Sequence, residues 1–300
     1  MLLAGCGARE QNYDLGGKKG LKVVATTGFA AEIADRLLAG QAEVTQLMGP
    51  GVDPHLYKPA LRDMEQLYNA DIVVASGLHL EGKMADVLEK LARTKRVIFL
   101  GKGLGPKDVR YATEFGGLPD PHFWFDISLF AKAAGYCAEQ LANEKRLDGK
   151  AIGQNATRYR KELELLEKEV FEQLGKLEGQ QRVLITAHDA FGYFGRRYDY
   201  RLFSLQGIST SSVFGLKDVT NLVDSIVQRK VPTIFPESST PAEPLAAIQD
   251  GCKAKGQPLA IGQPLYADAM GQKGTAEGTY IGMFRYNFKE INNLKRTEAR

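Results

Sequence analysis

The stretch Leu21-Lys22-Val23-Val24-Ala25-Thr26-Thr27 is a short apolar run, and residues 29–38 follow it with Ile33, Leu37 and Leu38 on one helical face. A strand feeding straight into a helix opens a β-α unit. The pattern recurs: a strand is expected over residues 44–47, a helix around 61–67, the strand Asp71-Ile72-Val73-Val74-Ala75, a helix over 83–91, and the strand Arg96-Val97-Ile98-Phe99-Leu100. Strands alternating with helices predict a parallel sheet covered on both faces.

Further along, residues 127–141 read as a helix, and residues 152–177 as a long one rich in Lys and Glu. Its apolar positions Leu163, Leu165, Leu166, Val170, Phe171 and Leu174 keep near-helical spacing, but over too few heptads to favour a coiled-coil dimer. A second series then begins with Arg182-Val183-Leu184-Ile185-Thr186 and Arg201-Leu202-Phe203-Ser204-Leu205. It continues with a helix over 218–229, the strand Pro232-Thr233-Ile234-Phe235, a helix over 241–252, the strand Pro258-Leu259-Ala260-Ile261 and a closing helix over 280–294. The fold expected is α/β, with two lobes, each a parallel β-sheet flanked by helices, joined by one long backbone helix. Residues 1–19 form a tether, 20–150 the N-terminal lobe, 151–178 the connecting helix and 179–300 the C-terminal lobe. A chain of 300 residues is long enough for the lobes to have separate cores.

Hydrophobic residues at 44% and charged residues at 25% are ordinary for a globular protein. A net charge of +3, with no run of Lys/Arg interleaved with aromatics, offers no nucleic-acid groove. No apolar stretch approaches the roughly 20 residues that cross a bilayer. The run Leu2-Leu3-Ala4-Gly5-Cys6 resembles the lipobox of bacterial lipoproteins, in which the cysteine is lipidated. It departs from that signal in having five residues before Cys6 and no charged segment, while the polar stretch 7–19 reads as a flexible tether. Cys137 and Cys252 fall in helices of different lobes, where no disulfide is expected.

Histidine is scarce, with four in the chain, and two sit in identical settings, Asp53-Pro54-His55 and Asp120-Pro121-His122. Proline fixes its own φ and extends the residue before it, so each imidazole is presented from a stiff loop, as a metal ion or an acid/base step requires. In open α/β sheets ligands gather beyond the carboxyl ends of strands. His55, His122, His188 and Asp268 all follow expected strands, two from each lobe, as a cleft enclosing one small ion or solute would need.

Several segments together resemble the metal-binding lipoproteins of bacterial zinc and manganese ABC importers, the TroA-like family. They are Gly51-Val52-Asp53-Pro54-His55 with Tyr57 and Pro59, Gly77-Leu78-His79-Leu80-Glu81-Gly82, Asp120-Pro121-His122-Phe123-Trp124-Phe125-Asp126, Ala187-His188-Asp189-Ala190-Phe191-Gly192-Tyr193-Phe194, Glu237-Ser238-Ser239, and Tyr266-Ala267-Asp268-Ala269-Met270-Gly271. The likeness runs in consistent order over residues 21–287. It implies a cleft metal site with His55, His122, His188 and Asp268 as ligands, and no enzymatic activity. Three imidazoles and one carboxylate suit Zn²⁺ slightly better than Mn²⁺, which favours oxygen donors. The His-rich loop frequent in the family's dedicated zinc importers is absent from residues 101–120, which weakens strict zinc specificity.

His79 is expected to be hydrogen-bonded and structural rather than a ligand. Asp53 and Asp120 are expected to cap turns, the alternative being that they orient the imidazoles. Glu237 either lies behind the ligands or caps the following helix, for which Ser238 and Ser239 are better suited. Trp124 and Phe125 are expected to pack. The leading function is a monomeric extracytoplasmic solute-binding protein, anchored through a lipid on Cys6 in the periplasm or at the outer face of the bacterial membrane. It would capture a divalent cation and deliver it to a membrane permease, with the long helix as a stiff hinge. One rival is a zinc hydrolase with Glu237 or Asp189 as base, which would need an open coordination position that four protein ligands fill. Another is a surface adhesin of the same fold, for which no separate motif is visible.

Overall fold

The computed structural model describes residues 20–112, 117–177 and 182–293. The expected tether over 1–19, with Cys6, lies outside them. The first half is built on a four-stranded parallel sheet of β1 (Lys22–Ala25), β2 (Glu43–Gln46), β3 (Ile72–Ala75) and β4 (Arg96–Phe99), in the order β2-β1-β3-β4. Val24 pairs with Thr45 on one side and Val73 on the other, and Val73 with Val97. Alternation divides the sheet's faces. Val23, Ala25, Ile72 and Val74 point to one side, where α1 (Gly28–Leu38) and α4 (Ile127–Ala142) cover them. Val24, Val73 and Ala75 point to the other, against α2 (Leu61–Asn69) and α3 (Ala85–Leu91). Thr27 starts α1 by accepting the Ala30 N–H at 3.2 Å.

Between α3 and α4 the chain forms a small antiparallel pair, β5 (Tyr111–Ala112) with β6 (Leu118–Pro119). The long helix α5 spans Gly149–Leu174, beginning where Asp148 Oδ1 accepts the N–H groups of Lys150 and Ala151 at 3.0 Å each. At 1.5 Å per residue its 26 residues extend about 39 Å. Ile152, Tyr159, Leu163, Leu166, Val170 and Leu174 are buried, but Leu165 and Phe171, assigned to the same face by spacing, point outward. The Arg197 guanidinium lies over the Phe171 ring.

The second half carries β7 (Val183–His188) paired in parallel with β8 (Arg201–Gln206), and β9 (Thr233–Ile234) paired in parallel with β10 (Ala260–Ile261). A single bridge, Thr186 to Phe235, joins the two pairs. The expected strands over 232–235 and 258–261 shrink to two residues each. Pro232, Pro236 and Pro258 have no N–H to give the ladder, so pairing stops beside them. Helices α6 (Gly192–Tyr198), α7 (Leu216–Arg229), α8 (Glu243–Ala254) and α9 (Tyr280–Asn293) complete the order. The first of these was not foreseen.

The two halves do not keep wholly separate cores. One continuous apolar cluster runs from β1 and α1 through α4 and α5 to α6 and α9. Phe130 stacks on Tyr280 at 3.8 Å and Phe125 on Phe191 at 4.2 Å, while the Tyr280 hydroxyl donates to the Trp124 carbonyl at 2.6 Å. Aromatic residues bridge further than the aliphatic side chains that fill each sheet's private cluster. Cys137 and Cys252 are buried free thiols. Among the described residues, no helix is long and apolar enough to cross a membrane.

Candidate metal centre

His55 sits after β2 in a loop whose shape is set by Asp53. Its Oδ1 accepts the His55 N–H at 2.8 Å, and its Oδ2 accepts the Thr210 hydroxyl at 2.6 Å. Asp53 therefore caps a turn, as expected, and also ties the loop to the second half of the chain. Gly82 supports the loop from beneath. A Cβ there would lie 2.3 Å from the His55 carbonyl oxygen, so only glycine permits the approach. Glu81 is fixed beside it, accepting from Thr26 Oγ1 at 2.7 Å and from the N–H groups of Ser76 and Gly77.

His122 precedes a 3-10 turn at Phe123–Phe125, after which Asp126 starts α4 by accepting from the Ser128 and Leu129 N–H groups. Asp120 does more than cap. Its Oδ1 takes the backbone N–H of His122 at 2.9 Å and lies 2.7 Å from His122 Nδ1. The capping expectation for Asp120 is thus too narrow: proline turns the carboxylate back over the ring two residues later. His188 ends β7, where Glu237 accepts its backbone N–H at 2.9 Å and closes tightly on its Nδ1. Asp268 stands in a loop after β10, held by a reciprocal pair between Tyr266 and Asn287 and by Trp124 Nε1 donating to the Ala267 carbonyl at 3.0 Å. Trp124 also stacks on Phe29 at 4.3 Å.

These four side chains converge, all buried, with one donor atom from each inside a 4.8 Å sphere of mutual separation. His55 Nε2 is 3.3 Å from His122 Nε2, which is 3.4 Å from His188 Nε2. The Asp268 oxygens are 3.2 Å from His122 Nε2, 3.3 Å from His188 Nε2 and 3.6 Å from His55 Nε2. At those distances the carboxylate makes ion-pair contacts with the imidazoles, and no other described group donates to it. The four groups face a common centre rather than one another. In a tetrahedron the edge is about 1.6 times the centre-to-corner distance, so zinc-length bonds of about 2.0–2.1 Å require edges of about 3.3 Å.

With their Nδ1 hydrogens turned toward Asp120 and Glu237, His122 and His188 aim Nε2 inward, where a metal ion would take the place of the Nε2 proton. No described side chain holds His55 Nδ1 in this way. Burial pushes His55 down to about 3, with Asp268 opposing. Burial also acts to lower His122, but Asp120 and Asp268 outweigh it and raise the ring to about 9. Glu237 and Asp268 likewise carry His188 well above its ordinary value against the pull of burial. Asp268, though burial favours its neutral form, is held well below the usual carboxylate range by His188 and His122. The cluster is an anionic cradle that, without a metal, retains protons.

His79 stands apart. It continues the left-handed run Gly77, Leu78, His79, with φ of 78°, 53° and 65°, which turns its ring out to solvent while Leu80 and Glu81 face inward. Its ring makes no hydrogen bond with a described residue, contrary to expectation, and borders a cavity of about 400 Å³ away from the four donors. Sequence reading also missed Thr210 and Arg110, polar residues in stretches with no motif. Gly82, by contrast, lay in a quoted segment.

A parallel α/β frame with three histidines and an aspartate converging from three loops and the end of a strand defines a metal-ion binding protein of the two-lobe class. The chain belongs to the family described as the periplasmic zinc-uptake complex component A, ZnuA, which it matches over residues 23–294. It is 42% identical over 292 residues to the manganese-binding lipoprotein MntA of Bacillus subtilis, covering 96% of this chain and 94% of that one. To the zinc-binding protein TroA of Treponema pallidum it is 41% identical over 271 residues, covering 90% of this chain and 87% of the relative. The solved structure of the periplasmic zinc-binding protein TroA from Treponema pallidum superposes with a TM-score of 0.87 at 38% identity, covering 90% of this chain and 97% of the other.

Proposed function

We propose that this protein is the substrate-binding component of a metal ABC importer, holding one divalent transition-metal ion between His55, His122, His188 and Asp268 and passing it to a membrane permease. The observation that carries the reading is the buried Asp268 carboxylate, facing three imidazole nitrogens at 3.2–3.6 Å with no other described group donating to it. A buried carboxylate left so costs several kcal/mol unless a cation meets it. Glu237 and Asp120 orient the rings behind it. The cargo is zinc in preference to manganese on donor type, with the two Asp268 oxygens able to serve a larger coordination number. Binding, not catalysis, is the role, since the four donors leave no position for an activated water.

The chain acts as a monomer divided at 20–150, 151–178 and 179–300, outside the cytoplasm. Cys6 carries the lipid that anchors it in the periplasm or at the outer face of the bacterial membrane. Calorimetry on chelator-stripped protein tests the site: the wild type takes up one ion, and His122→Ala loses uptake. Unchanged stoichiometry and affinity in that variant would sink the assignment. Competition of Zn²⁺ against Mn²⁺ decides the cargo, and mass spectrometry of the cell-derived protein reads the acyl chains on Cys6.

A further inference from the structure

Arg110 stands between two carboxylates that belong to different halves of the cluster. Its Nη1 lies 2.6 Å from Asp120 Oδ2, and its Nη2 lies 2.9 Å from Asp189 Oδ2. Asp120 uses its other oxygen on His122, and Asp189 is the chain neighbour of His188. The guanidinium lies flat on Gly192. A Cβ at that position would fall 2.1 Å from Nη1 and 2.3 Å from Cζ. The backbone is tied as well: the Arg110 N–H donates to the Tyr193 hydroxyl at 3.0 Å, which donates to the Asp120 carbonyl at 2.9 Å, and the Asp120 N–H returns to the Arg110 carbonyl at 2.8 Å.

Resting on the metal-site reading above, we propose that Arg110 is a positioning residue: its planar fork fixes the Asp120–His122 pair against the Asp189–His188 turn and thereby sets how fast the ion leaves. A guanidinium spans two carboxylates with rigid geometry, whereas an ammonium is a point charge that serves one of them well. With both bonds made, the Asp120 carboxylate plane is set from behind, and so is the imidazole it holds. Any outward movement of the His188 turn must break the Asp189 bond before the His122 ring can follow. Partners behind a metal's ligands govern retention in this way without touching the ion.

The test uses the full chain, stripped and reloaded with Co²⁺, in Arg110→Gln, Arg110→Lys and Gly192→Ala. Release is followed by stopped flow into excess chelator, and coordination by the visible cobalt spectrum. Arg110→Gln is expected to release cobalt at least about tenfold faster, with an altered spectrum and unchanged one-to-one uptake. Arg110→Lys falls between it and the wild type. Gly192→Ala removes no charge but fills the guanidinium's seat, and should reproduce Arg110→Gln. Release within twofold of wild type and an unchanged spectrum in both Arg110→Gln and Gly192→Ala, even with a lowered melting temperature, would show a purely structural residue and overturn the inference alone. Wild-type protein that takes up no cobalt would overturn the metal reading, and this inference with it.

Discussion

Metal uptake by this cluster must expel protons, and their number follows from the three imidazoles. In the metal-free protein His55 is held near 3 and is neutral at pH 7, whereas His122 is raised to about 9 and His188 well above its ordinary value. An ion held at this site needs every Nε2 lone pair, so His122 and His188 each lose the Nε2 proton while their Nδ1–H groups go on donating to Asp120 and Glu237. Two protons per ion correspond to about a hundredfold gain in affinity per pH unit, roughly 2.7 kcal/mol, and the slope falls as pH passes the raised value of His122 at about 9. Calorimetry at pH 7 in two buffers of different ionisation heat, neither binding the metal, reads the proton count directly. Release of fewer than one proton per ion would refute the assignment of charge to His122 and His188. The stability of the metal-free fold follows from the same protonation and moves the opposite way with pH. His122 is raised above its ordinary value of 6.5, so its contribution to the metal-free fold is complete below that pH and is lost as pH rises through about 9. The melting temperature of stripped protein should therefore fall between pH 7 and 9.5, and that of loaded protein should hold.

Glu237→Gln keeps the volume beside His188 but removes the charge, and metal affinity by competition titration should fall about 10- to 100-fold. Trp124→Phe preserves the stack on Phe29 yet leaves the Ala267 carbonyl without its donor. A loss of about 1–3 kcal/mol in denaturant unfolding is expected, together with weaker metal binding through the Asp268 loop. Gly82→Ala drives a methyl into the His55 carbonyl oxygen. It should lower both the melting temperature and metal affinity, while His79→Ala leaves both unchanged.

The first half of the chain was legible because strand and helix periods dominate it: β3 is apolar throughout, β1 and β4 are apolar after one leading basic residue, and α1 and α4 carry clear faces. Reading was less exact where another constraint overruled the period. Prolines cut β9 and β10 to two residues, and α6 hides in the aromatic Gly192-Tyr193-Phe194 because three-dimensional packing, not a polar face, defines it. In α5, Leu165 and Phe171 sit at spacings that fit the buried stripe but fall at its edge, where Leu165 stays exposed and Phe171 is only partly covered, by Arg197 and Tyr198. His55 and His122 showed themselves as rare histidines in stiff Asp-Pro-His loops, and His188 and Asp268 by following expected strands and by the family resemblance. Arg110 and Thr210 did not, since a polar residue in an ordinary loop declares its partner only when the chain brings a carboxylate from 79 or 157 positions away.

The shared aromatic core bears on how this protein can vary. Phe29, Trp124, Phe125, Phe191 and Tyr280 bind the two sheets into one packing problem, and Trp124 also reaches the Asp268 loop. At Trp124, affinity and durability are therefore coupled: a substitution there that shifts the Asp268 loop must also repack the seam, so descendants of this chain that change cargo through that loop should carry compensating changes among the aromatics.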